Sequence, residues 1–164
     1  MMFQKPSRSA RLLAQREERR ERTRHEEREK AKVRRRDKGC RFPLCGCGKL
    51  KWSREVAHLV HKGAGGNPSG DRSLSTGMVY LCRHRHRDGL VSIHHGTLRV
   101  HPQAHDLGAF GPLVFEVDAQ AAGMKAVTAR TQWVIVATEI APGRLEPLMR
   151  WQRELLEELA GMEI

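Results

Sequence analysis

All four cysteines, eight of the nine histidines and ten of the fifteen glycines fall between residues 39 and 105. A segment that merely packs has no reason to gather these residue types. In a reducing compartment, spaced Cys and His read as metal ligands more readily than as disulfides. The reducing assignment comes from the amino terminus, which runs into charge without an apolar signal core, so the expected location is intracellular and cytoplasmic. Chemistry is therefore expected in residues 39–105, with residues 1–38 and 106–164 serving it. At 164 residues, with 39% hydrophobic content, the chain has room for about one compact domain and an arm.

The arm carries most of the charge. Residues 1–38 hold 15 basic and 7 acidic side chains, a net +8 of the chain's +11. Residues 7–36 contain neither Gly nor Pro, and pairs such as Glu18 with Arg22 and Glu26 with Lys30 stand four apart, so a helix is predicted. Its few apolar residues, Leu12, Leu13, Ala31 and Val33, form no continuous stripe, which predicts a helix that does not dock tightly. A solvated helix and a DNA-gripping arm are both compatible with that pattern, and the adjoining Arg34, Arg35 and Arg36 favour contact with phosphate. No run approaches the roughly 18 apolar residues of a membrane span, so a polyanion, nucleic acid before lipid, is the expected partner.

Between residues 39 and 105 the pattern predicts a strand over 55–60, a glycine-rich loop, a strand over 78–82 and a helical turn over 83–88 closed by Gly89. Residues 90–94 and 97–101 are expected to form a hairpin around His95 and Gly96. Cys40 and Cys45, with Pro43 bending their link, make half of a zinc site; Cys82 with His84 or His86 is expected to supply the rest as a structural Cys3His centre, Cys47 being a spare. Farther on, strands are predicted over 113–118 and 132–138. A helix is predicted from about Glu146, with Pro147 in its first turn and Leu148, Leu155, Leu156 and Leu159 on its buried face. That last region reads as support or as a surface for homo-oligomers. A G-x-x-x-x-G spacing at Gly65 to Gly70 is not a nucleotide-binding loop, because Asp71-Arg72 follows where Lys and Ser or Thr are required.

Cys40 to Cys45, Glu55-Val56-Ala57-His58, Gly63 to Gly66 and Leu81-Cys82-Arg83-His84-Arg85-His86 together resemble the zinc-stapled HNH endonucleases of bacteria and phages. The resemblance implies an α+β fold built on a ββα-metal finger, here with a long basic N-terminal helix and a small C-terminal α/β extension. It implies that His58 is the general base and His86 a ligand of a catalytic divalent ion (Mg, Mn, Ni or Zn), beside the structural Zn. Two positions differ from the family pattern. Ala57 stands where a second metal ligand is frequent, with His61 as its expected substitute, and Gly77 stands near the expected middle Asn, with Asn67 or Asp71 in its place.

The function implied is hydrolysis of DNA phosphodiester bonds, with DNA held mainly through its backbone by Arg34, Arg35, Arg36, Lys62, Arg83 and Arg87. The alternative is a zinc-stapled nucleic-acid-binding protein that cuts poorly or not at all. An RNA-binding accessory role fits the charge but has few aromatics for base stacking.

Overall fold

The computed structural model describes residues 7–48, 53–59, 74–124 and 132–161. The chain is α+β. Helix α1 (Arg8–Asp37) is followed by the antiparallel pair β1 (Arg54–His58) and β2 (Met78–Cys82), and a helical turn at His84–Asp88. Strands β3 (Leu98–Pro102), β4 (Leu113–Asp118), β5 (Trp133–Ala141) and β6 (Arg144–Leu145) then form an antiparallel sheet in chain order, and α2 (Arg150–Gly161) closes the described chain.

Helix α1 begins where Ser7 Oγ accepts the Ala10 amide at 3.2 Å, and at about 1.5 Å per residue it is about 45 Å long. Residues 8–25 are exposed. Its carboxyl-terminal turns, however, do dock, contrary to the expectation from its missing apolar stripe. Val33 is fully buried, and Glu29, also buried, accepts the Ser75 amide at 2.9 Å. Arg36 donates to the carbonyls of Ser75 (2.9 Å) and Met78 (2.7 Å), and Asp37 accepts the Tyr80 amide at 2.8 Å. Hydrophobic periodicity misses this contact because charged side chains satisfying backbone groups make it.

The second sheet and α2 build the core. Leu113, Phe115 and Val117 alternate inward along β4 and join the same buried cluster as Leu155, Leu156 and Leu159 of α2, which packs against β5. The same cluster includes Phe42, Ala57, Val79 and Leu81, so the first strand pair and the second sheet share one interior. Phe42 and Phe115 pack edge to face at 6.0 Å between ring centroids.

Two expectations about the later elements are corrected. Strand β3 pairs with β4, from Leu98 opposite Val117 to Pro102 opposite Leu113, rather than with residues 90–94. That preceding segment is already occupied: the amides of Ile93 and His94 bond to the carbonyls of Arg85 and His86 (3.1 and 3.0 Å), and Thr97 Oγ1 accepts from the Ser92 amide at 3.0 Å. Strand β3 thus joins sequence on both sides of residue 105. Helix α2 begins at Arg150, so Pro147 precedes it rather than occupying its first turn.

The Glu29 carboxylate is held down to about 2 from an ordinary 4.5, first by the Lys32 ammonium and then by the Ser75 amide. A depressed carboxylate contributes stability above its unfolded pKa and loses it as pH falls through its folded value. Glu29→Ala should therefore cost about 1–3 kcal/mol at neutral pH. Its melting temperature should also fall less than that of the wild type between pH 4.5 and 2. Thermal melts of both proteins across that window check the prediction.

Candidate metal centre and histidine cleft

Residues 39–48 leave α1 through Lys38, whose φ of 53° is left-handed, and lie against β2. The Arg41 amide bonds to the Tyr80 carbonyl (2.9 Å) and the Cys82 amide to Cys40 Sγ (3.3 Å). Leu44, at φ 51°, turns the chain back so that Cys45 and then Cys47, in a short turn at Gly46–Gly48, approach the end of β2. The sulfurs of Cys40, Cys45, Cys47 and Cys82 all lie within 4.8 Å of one another, positioned to bind a metal ion.

The donor set fits such an ion. Cys45 and Cys82 sulfurs are 3.7 Å apart, and the edge of a regular tetrahedron with bonds of 2.3 Å is about 3.8 Å. Backbone N–H groups already point at two sulfurs, from Cys82 to Cys40 and from Arg85 to Cys82 (3.5 Å), where their dipoles favour thiolate charge. Hydrogen bonds from Cys40 and Cys45 hold the Cys82 thiol down, whereas contacts with Cys45 and Cys82 push Cys40 up, and burial pushes Cys47 up. One thiolate is favoured at the expense of its neighbours, and a divalent cation is what allows all four to ionise.

The structure therefore brings together Cys40, Cys45 and Cys82 as expected, but Cys47 rather than His84 completes the set. The His84 ring lies on the backbone of Gly89, where an added Cβ would come within 2.2 Å of its Nε2. Burial, reinforced by Arg85, lowers the pKa of His84. Cys47 was legible after all, since the chain has four cysteines and a closed thiolate tetrahedron takes four.

The second feature is a cleft beside the strand pair. A cavity of about 220 Å³ is lined by Val56 and His58 of β1, His86 and Arg87 of the helical turn, Ile93 and His94, with Glu26 and Lys30 of α1 along one wall. Strand β1 alternates, so Ala57 is wholly buried in the core while His58, its neighbour, reaches the cavity. His86 Nδ1 lies 2.7 Å from Glu55 Oε2, and the same oxygen pairs with Arg87 Nε at 3.0 Å. Burial lowers the His86 pKa, opposed by its hydrogen bond to Glu55, so the ring is favoured as a neutral imidazole. With Nδ1–H donated to the carboxylate, Nε2 carries the lone pair.

The arginines differ in availability. Arg34 and Arg35 are exposed at the end of α1, whereas Arg36 is ion-paired with Asp37 and stacked on Phe110 at 4.9 Å. Arg83 pairs with Asp88 at 2.8 Å, and both it and Arg87 remain about half exposed. His61, Lys62 and the expected substitutes Asn67 and Asp71 lie outside the described residues. No described helix is long and apolar enough to cross a membrane. Compared with protein-family models, curated proteins and solved structures, the chain gives no significant match.

Replacing a ligand should release the metal, and replacing a bystander should not. Cys47→Ser is expected to lower metal content and melting temperature as much as Cys40→Ser, while His84→Ala keeps the wild-type metal stoichiometry. Metal analysis of the purified variants beside their thermal melts checks this; full metal content in Cys47→Ser would remove Cys47 from the centre.

Proposed function

We propose that the chain is a metal-dependent DNA endonuclease of the HNH type, stapled by zinc at Cys40, Cys45, Cys47 and Cys82. The observation that carries this reading is that His58 and His86, on different elements, line one cavity. The antiparallel pair β1 and β2 followed by the helical turn at His84–Asp88 supports this reading, since the resemblance implies two strands and a helix in that order. Four clustered thiolate donors suit zinc in a closed, structural site.

In this reading His58 takes a proton from the water that attacks the scissile phosphorus, work suited to an imidazole that is neutral near pH 7. His86, oriented by Glu55, holds a divalent cation that would supply fixed positive charge to the phosphate and the departing 3′ oxygen. Arg87 on the cavity wall contacts the flanking phosphate, and the exposed arginines of α1, Arg34 and Arg35 among them, hold the backbone without reading sequence. One observation favours the non-cutting alternative: among the described residues, the cysteines are the only group of three or more donors close enough to share an ion.

Plasmid nicking separates the two. With Mg, Mn or Ni ions the wild type is expected to nick supercoiled DNA, and His58→Ala to lose about 10²–10⁴-fold in rate with little change in DNA affinity. Salt-sensitive binding without cleavage by any of these ions would leave a nucleic-acid-binding protein. Deleting residues 1–24, which keeps the docked turns of α1, should weaken binding and flatten its salt dependence as fewer counterions are released. An unchanged slope in a binding titration across salt concentrations would make the deleted part of α1 a solvated helix only.

A further inference from the structure

His94 lies beyond the residues that carry the HNH resemblance, yet the fold fixes it against His86. Their rings meet edge to face with centroids 4.7 Å apart. The contact is set by the backbone on both sides, because the His94 amide bonds to the His86 carbonyl at 3.0 Å and the Ile93 amide to that of Arg85 at 3.1 Å. The segment that failed to form a hairpin is thus the segment that delivers this second imidazole. Both residues line the same cavity of about 220 Å³, together with Glu26 of α1.

From this juxtaposition we propose that His86 and His94 are paired imidazole ligands of a divalent cation of borderline softness, such as nickel or zinc, in the histidine cleft. Imidazole nitrogens suit these ions, whereas magnesium prefers a shell of oxygen ligands and releases its waters reluctantly. Glu55 is the outer carboxylate that fixes the His86 tautomer at 2.7 Å. Two protein nitrogens leave most of the coordination sphere to water and to a phosphate oxygen, as an open site requires. Ala57, buried in the core, offers no ligand, and His94 on the cavity lining takes over that part.

This proposal deepens the nuclease reading and rests on it for the site's purpose, though the cation site has its own test. Full-length protein with its cysteine centre loaded with zinc is titrated with nickel by calorimetry. The wild type is expected to bind one further equivalent, and His94→Gln to bind it at least about tenfold more weakly, since even outer-shell changes cost about 10–100-fold. Glu55→Gln should fall between the two, and His101→Ala, on the exposed face of β3, should match the wild type. Because His94 is exposed, its substitution is expected to keep the wild-type melting temperature. Equal nickel affinity in His94→Gln and wild type, or no further equivalent in wild type, overturns the site. Nickel bound through His94 with no cleavage of plasmid by any ion would keep the site and remove the nuclease reading; cleavage with unchanged affinity in His94→Gln would do the reverse.

Discussion

The architecture turns on a buried guanidinium. Arg41 adjoins Cys40, the first cysteine of the cluster, and is almost fully enclosed, so each of its donors needs a partner. It forms a two-point contact with the equally buried Glu139 of β5 and donates to the carbonyls of Ala109 (2.8 Å) and Gly111 (3.5 Å) and to Asp37 at 3.4 Å. Glu139 in turn accepts the amides of Leu113 (3.0 Å) and Gly143 (3.1 Å). The end of α1, the cysteine-bearing segment and the second sheet are thereby held at one point. Removing one partner of such a pair leaves a buried charge and costs about 3–5 kcal/mol, far more than any exposed pair along α1 contributes.

That anchor explains how a segment without regular structure can present thiolates accurately. Asp37 fixes the Tyr80 amide and Arg41 the Tyr80 carbonyl, so the chain entering the metal centre runs in register with β2. Cys40 then meets the Cys82 amide. From Cys82 the order continues without a gap into the helical turn: the Arg85 amide bonds to Cys82 Sγ, the Arg85 side chain donates to the Leu159 carbonyl at 2.9 Å and lies over the Phe42 ring at 4.4 Å, and the next residue is His86. The thiolate cluster therefore has a consequence beyond stability, because the backbone that carries one of its ligands also sets the position of the cleft's buried imidazole.

Local patterns were legible in the sequence wherever the cause is local. Residues 78–82 form an unbroken apolar run and fold as β2 with those limits, and the Gly- and Pro-free stretch folds as α1. Leu155, Leu156 and Leu159 share the buried face of α2 as their spacing requires. What escaped was set by distant partners. The docking of α1 depends on backbone groups of Ser75 and Met78 that no helical period encodes. The pairing of β3 depends on residues 92–94 being used already by the turn at His84–Asp88. His84 and Cys47 exchanged roles because the choice between them turns on which way a five-residue turn closes, and the close approach of the His84 ring to Gly89 settles that only in three dimensions.

The two halves of α1 divide along the same line. Up to residue 25 the helix is solvated; from Glu29 onward Glu29, Arg36 and Asp37 are committed to the interior while Arg34 and Arg35 stay exposed. Glu26 and Lys30, paired at 2.9 Å, sit at the change-over and form one wall of the cleft. With no Gly or Pro between residues 7 and 36 to kink the helix, its exposed arginines and that wall belong to one continuous element. The charged arm and one wall of the cleft are in this way parts of one element, so the charge excess of the arm is joined directly to the cleft.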